Sequence, residues 1–282
     1  MTQKKFSSKT RIAICAPGKR LEREHADAVQ ELYAADESID LQFHPQCFAR
    51  HGHFAGTDEQ RLAALVECAN EPTVDAVWFA NGGYGSNRIA GDAIAQMGAA
   101  ARGKRYLGYS DTGFLLAALY KAGIGQCAHG PMVGDIRRDY GNVTVRRSVD
   151  YLSGGDAGLE ASLDERPTIA FNLMTLAMLC GTDLMPDITG HVVIVEEVSE
   201  HLYAIDRLFF HIVQHLHGAA GLRLGRISEV PENDRPFGAS EVEIAQYWCG
   251  KAGIEYLGRA DIGHDAANTI VPFGLAAAAR GQ

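Results

Sequence analysis

Five consecutive residues, Gly108-Tyr109-Ser110-Asp111-Thr112, stand at the end of an apolar run and directly before a helical one, Phe114 to Lys121. A serine on such a strand-to-helix turn exposes its hydroxyl. The amide that follows it, at Asp111, points from a helix N-terminus, where developing negative charge is favoured. The chemistry that suits this arrangement is nucleophilic attack on a carbonyl. The pattern is G-x-S-x-T where α/β-hydrolases carry G-x-S-x-G, so a serine that merely caps the helix reads equally well from these five residues alone.

A second candidate is Asn81-Gly82-Gly83-Tyr84-Gly85-Ser86, which follows the apolar run Val74 to Ala80. Glycines there let a backbone amide approach a reacting oxygen closely. A dinucleotide loop is the rival, but Arg88 stands where G-x-G-x-x-G needs its third glycine, and no Walker lysine follows. Two such loops at the C-terminal ends of parallel strands would face one crevice.

The third candidate is the acid pair Glu196 and Glu197 at the end of Val193 to Val198; strand alternation sends them to opposite faces, so at most one serves a site. The fourth is His264, after Gly263, on a turn entering Thr269 to Gly274. Taken singly, each reads as a surface residue. Together with Ser110 they supply nucleophile, orienting carboxylate and general base in the order Ser, Glu, His.

Other groups read as structural. His211 and His215 lie four apart on a helix face without the glutamate of H-E-x-x-H or an evident third ligand, so no metal is expected. His44, His51 and His53 fall in a loop-like region. Cys127 and His129 precede Gly130-Pro131 as a turn leaving a strand, and Arg137, Arg138, Arg146 and Arg147 form a basic cluster that could meet a substrate carboxylate but reads as charged surface. The six cysteines are scattered with no C-x-x-C pair, as reduced packing residues would be.

The elements that must position these groups alternate. Apolar β-rich runs at Arg11 to Ala16, Ile39 to Phe43, Val74 to Ala80 and Tyr106 to Tyr109 are separated by helix-period segments at 22–36, 58–70 and 86–100, the pattern of a parallel βαβ sheet. Thr57 with Gln60 forms a capping-box start. The pattern weakens from Asp135 to Pro167, which places a boundary near 155. The expected fold is α/β in two domains: 1–155, carrying the nucleophile, and 156–282, a mixed α/β domain carrying the glutamate and histidine. The second is predicted to hold helices at Asn172 to Leu179, Tyr203 to His217 and Glu241 to Lys251, and a strand from Val192 to Glu197.

Composition bounds the function. The 282 residues are 46% hydrophobic and 22% charged, an ordinary globular balance. The formal charge of −9 argues against a partner that is nucleic acid. No apolar run reaches the roughly 20 residues of a membrane span, and Met1 to Thr10 is polar, so the expectation is a cytoplasmic protein with no membrane partner.

In this order and spacing, several motifs resemble the LD-carboxypeptidase family of serine peptidases, which includes muramoyl-tetrapeptide carboxypeptidases and microcin C immunity peptidases. They are Phe54-Ala55-Gly56-Thr57-Asp58, Gly82-Gly83-Tyr84-Gly85, Gly108-Tyr109-Ser110-Asp111, His129-Gly130-Pro131, Gly181-Thr182, Val195 to Glu200 with Tyr203 and Asp206-Arg207, and Gly263-His264 with Pro272-Phe273-Gly274. The resemblance runs from about Arg11 to Gly274. It implies a two-domain protein, commonly a homodimer, with a triad in a groove between domains: Ser110 as nucleophile, His264 as base and Glu196 as orienting acid. The amides of Asp111 and of the glycine pair, Gly83 foremost and Gly82 beside it, would form the oxyanion hole. No cofactor is implied. The substrate would be a murein tetrapeptide losing D-alanine in peptidoglycan recycling, or alternatively a peptide-nucleotide or aminoacyl-nucleotide conjugate. An α/β-hydrolase-type esterase and a ligand-binding module without chemistry are the readings from other classes. Asn81 stands where the family usually has arginine, Thr112-Gly113 replace the common Ile-Thr, and Phe171-Asn172-Leu173 lacks a usual glycine pair; these departures bear on the substrate.

Overall fold

Strands β1 (Thr10–Cys15), β2 (Ile39–Phe43), β3 (Ala76–Phe79), β4 (Arg105–Gly108) and β5 (Gln126–His129) form a parallel sheet in the computed structural model, which describes residues 9–276. Most of the polar N-terminal stretch read above, and the alanine run after Ala276, lie outside the described residues. The order across the sheet is completed at one edge by β10 (Val271–Pro272), which returns from the far end of the chain to pair antiparallel with β5.

Alternation along the strands explains why helices cover both faces. On β1, Ile12 and Ile14 join one core with Ala26 and Val29 of α1 (Arg23–Tyr33) and Val145 and Val149 of α5 (Gly141–Leu152). Ala13 and Cys15 join the other, with Ala64 and Leu65 of α2 (Asp58–Asn70), Ala93 of α3 (Ala90–Gln96) and Leu115 and Leu119 of α4 (Gly113–Lys121). Such two-sided burial is what a doubly wound parallel sheet requires. The Thr57–Gln60 capping box forms as its spacing predicts.

A second sheet holds β6 (Thr168–Asn172), β7 (Val192–Val198), β8 (Gly221–Ser228) and β9 (Tyr256–Arg259), in that order and parallel throughout. Its helices are α6 (Leu173–Leu179), α7 (Leu202–Ile212) and α8 (Glu241–Ala252). The α4 core continues without a break into Ile169, Phe171 and Leu176, so the two sheets share one apolar interior.

Three places depart from the periodicity reading. The weak-pattern stretch after Asp135 contains α5, whose buried face mixes Val145, Val149 and Leu152 with buried Thr144 and Ser148. Those hydroxyls donate to the carbonyls of Ala266 and Pro131 respectively, so polar residues sit inside without cost to the packing. The segment 86–100 is α3 flanked by two short 3-10 turns, ended where Asn70 Oδ1 accepts the Gly98 amide at 2.7 Å. Strands β6, β8 and β9 were not signalled, β8 because Arg223 and Arg226 interrupt its apolar run.

Candidate active site

Ser110 occupies the turn between β4 and α4 with φ of 57°, a left-handed backbone that costs a non-glycine residue about 1–3 kcal/mol. Surrounding contacts hold it there. Tyr109 O accepts from both the Thr112 amide and hydroxyl, and Ser86 Oγ donates to the Asp111 carbonyl. That last bond ties the glycine loop after β3 to the serine turn after β4.

Gly82 lies against Ser110. A Cβ at position 82 would stand 3.2 Å from Ser110 Cβ and 3.4 Å from its Oγ, so only a bare backbone fits comfortably. The loop is braced from behind by Arg61 of α2, fully buried, which donates to the carbonyls of Pro17 and, at 2.8 Å, Gly85, and pairs with Asp58. Among the described residues, neither the Gly83 nor the Asp111 amide donates to a backbone or side-chain acceptor.

The acid pair separates as strand alternation requires, but neither member is solvated: Glu196 is 0% and Glu197 3% exposed. Glu196 Oε2 stands 2.7 Å from His264 Nδ1. The carboxylate reaches that position because β8 carries glycine beside it, where a Cβ at Gly225 would meet Glu196 Cβ at 2.9 Å. Glu197 turns the other way, accepting from Asn172 Nδ2 (2.7 Å) and the amides of Met174 (2.8 Å) and Val198 (2.9 Å). Burial pushes its carboxyl up to about 6 in spite of those donors.

His264 comes from the loop between β9 and β10 and packs on the Tyr109 ring, with centroids 4.8 Å apart. This places the histidine beside the residue that precedes Ser110. Burial works to lower its basicity, but the Glu196 carboxylate, through space and through its hydrogen bond, more than offsets this and raises it above the ordinary 6.5. Asp111, by contrast, is raised by burial, with the charges of His264 and His53 opposing.

The structure therefore brings Ser110, Asp111, Gly82, Glu196 and His264 to one place between the two sheets, with Gly83 on the adjoining loop. Sequence reasoning missed the frame behind them. Tyr109 OH donates to Asp135 Oδ1 at 2.9 Å, and Arg138 pairs with the same oxygen at 2.8 Å, so one arginine of the basic cluster is part of the site wall. Arg147 of that cluster instead donates to the carbonyls of Ala266 and Asn268 and holds the His264 loop. His211 Nε2 is 3.1 Å from the Ala177 carbonyl, and among the described residues no group of three or more His, Cys, Asp or Glu side chains is placed to hold a metal. No helix among the described residues is long and apolar enough to cross a membrane.

Comparison with known proteins adds independent findings. Residues 12–130 match the model of the LD-carboxypeptidase N-terminal domain and residues 167–278 that of the LD-carboxypeptidase C-terminal domain. A protein of Synechocystis sp. named as a carboxypeptidase is 31% identical, covering 80% of this chain and 76% of its own. The murein tetrapeptide carboxypeptidase of Pseudomonas aeruginosa is 24% identical over 96% of this chain and 94% of its own. The crystal structure of muramoyltetrapeptide carboxypeptidase from Oxalobacter formigenes superposes with a TM-score of 0.79 at 25% identity, covering 94% of this chain and 93% of that one.

Proposed function

The chain belongs to the LD-carboxypeptidase family, and from that premise we propose that it is a serine carboxypeptidase with Ser110 as nucleophile, His264 as general base and Glu196 as its orienting acid. The observation that carries the assignment is the 2.7 Å contact between His264 Nδ1 and Glu196 Oε2, which fixes the imidazole with its Nε2 free to take a proton.

In this reading Ser110 Oγ attacks the scissile carbonyl while its proton passes to His264 Nε2. The carbonyl oxygen becomes an oxyanion that the Gly83 and Asp111 amides receive, with Gly82 giving the loop its close approach. His264 then returns the proton to the departing amine, leaving an acyl ester on Ser110. Water, deprotonated by His264, attacks the ester; the acid product leaves and Ser110 regains its proton. All groups are supplied by the protein, with no cofactor.

For substrate, we take a murein tetrapeptide losing its terminal D-alanine, supported by the name of the Pseudomonas relative and of the Oxalobacter structure. The same reading makes the protein a cytoplasmic homodimer acting in peptidoglycan recycling; elution as a monomer would contradict the dimer. Incubation with tetrapeptide, its all-L isomer and an aminoacyl-nucleotide amide, followed by mass spectrometry, tests the substrate. D-alanine release from the first alone is expected. Cleavage of only the nucleotide conjugate would overturn the carboxypeptidase reading and leave the triad in place, whereas full activity in Ser110→Ala would overturn the triad.

A further inference from the structure

Three enclosed polar atoms beside the triad have no hydrogen-bond partner among the described residues: Glu196 Oε1, His129 Nε2 and Asn268 Nδ2. Their residues are 0%, 1% and 1% exposed. His129 ends β5, in register with Gly108 of β4 on one side and Val271 of β10 on the other. Its ring packs against Tyr109 at 5.6 Å, and Tyr109 in turn packs against His264 at 4.8 Å. The Asn268 side chain faces the His129 ring closely enough to favour its protonated form, though without a well-directed hydrogen bond, and its Oδ1 accepts the Gly263 amide at 3.1 Å, immediately before His264.

The titratable groups facing His129 are Glu196, from β7, and His264, from its loop. Burial, with the charge of His264, lowers the His129 imidazole to about 4 against the pull of Glu196 and of the Asn268 side chain, so at neutral pH it is uncharged and carries one N–H. A neutral ring with a donor to give, an amide nitrogen with donors to give and a carboxylate oxygen with none to receive are complementary. An enclosed polar atom left unserved costs on the order of 1–3 kcal/mol.

We propose that His129 is a positioning residue of the triad: its Nε2–H, with Asn268 Nδ2 beside it, serves Glu196 Oε1 directly or through one internal water. The carboxylate is thereby held by both oxygens, one to His264 and one to this buried pair, and cannot rotate away from the base. The inference rests on the Ser110–Glu196–His264 reading and adds to it a residue that never touches substrate.

The test combines histidine ¹⁵N–¹H NMR on the intact protein with two variants. In the unmodified protein at pH 7, His129 is expected neutral with its proton on Nε2; a charged ring or a proton on Nδ1 overturns the proposal. His129→Phe keeps the ring volume and removes the donor, whereas His129→Gln keeps a donor near the Nε2 position. The first should lower kcat about tenfold or more with little change in KM, the scale of loss when an outer partner of an oriented group is removed. It should also move the His264 titration to higher pH, because a less hydrogen-bonded Glu196 holds the His264 proton more tightly. The other charges facing His264, those of Asp111, Asp135 and Arg138, are unaltered. The glutamine variant should recover most of both effects. Equal losses in both variants with an unmoved His264 titration would mean that His129 only packs. The NMR titration needs no turnover, so it reports on the hydrogen bond even if Ser110→Ala proves active and the triad reading itself fails.

Discussion

Glu196 Oε2 and His264 Nδ1 meet at 2.7 Å although 68 residues separate them, so a strand end of the second sheet holds a histidine that packs on the serine turn of the first. The two sheets are thus coupled through the groups assigned to proton transfer. Glu196→Gln keeps the size of the side chain but allows its amide to face Nδ1, which favours the wrong imidazole tautomer. We expect kcat to fall by about 10⁴ with folding intact, as when the orienting acid of other triads is lost. A loss of less than tenfold in steady-state kinetics would remove Glu196 from the triad.

The same pair sets the pH dependence. As the proposed base, His264 must be neutral to accept a proton from Ser110, and its affinity for protons is raised above the ordinary 6.5 because Glu196 outweighs the opposing effect of burial. Activity is therefore lost as the imidazole gains its proton, and kcat/KM should climb with pH through a midpoint on the alkaline side of 6.5. In Glu196→Gln the largest influence raising His264 is gone, leaving burial and Arg138 to lower it against Asp135, so the residual activity should titrate at lower pH than in the unmodified enzyme. An acid limb that does not move between the two proteins would separate His264 from the profile.

Glu197 provides a contrast within one strand. Its carboxyl is raised from 4.5 to about 6, chiefly by burial, so between those values the folded protein binds more protons than the unfolded chain and stability falls as pH rises. The size is about 2 kcal/mol. Glu197→Gln should therefore gain roughly that much stability relative to the unmodified protein between pH 4 and 7, read from urea midpoints. Superimposed on this is a pH-independent loss of about 1–3 kcal/mol, because the Met174 amide no longer faces a carboxylate oxygen. Catalysis should change little, since the side chain points to α6 and away from His264. A catalytic defect equal to that of Glu196→Gln would sink this division of labour.

How far the sequence reached can be judged on these residues. Ser110 was legible because a short apolar strand runs straight into an apolar helix, and that junction exposes whatever side chain occupies it. The alternation of Glu196 and Glu197 was legible too, but not which of them meets His264: the choice depends on Gly225 clearing space on the neighbouring strand and on a register shift between Val195 and Glu197. Both acids read as solvated from sequence, since nothing local says that Asn172 and His264 arrive to receive them. α5 was hidden because Thr144 and Ser148 face inward with carbonyl partners, which erases the apolar period. His129 and Asn268 lie on a strand and a distant loop, and no spacing rule links residues brought together only when β10 pairs with β5.

Gly82→Ala tests the close packing at the serine turn. The added Cβ would lie 3.1 Å from Met132 Cε and 3.2 Å from Ser110 Cβ, so one of them must give by a few tenths of an ångström. The methionine end can swing, but Ser110 sits on a left-handed backbone pinned by Tyr109 and its neighbours, and any shift there moves the proposed nucleophile relative to the Gly83 and Asp111 amides. A displacement of 1 Å can cost about 10²-fold, so a shift of a few tenths should lower kcat on the order of tenfold. The thermal midpoint should move by only a few degrees, because a single methyl against a flexible side chain costs about 1 kcal/mol. The expected signature is a kcat defect with KM nearly unchanged, since the oxyanion contacts tighten only as the tetrahedral species forms. An unaltered kcat with a normal midpoint would show that the glycine loop does not bear on the reacting carbonyl, and the second amide would then have to be sought elsewhere than Gly83.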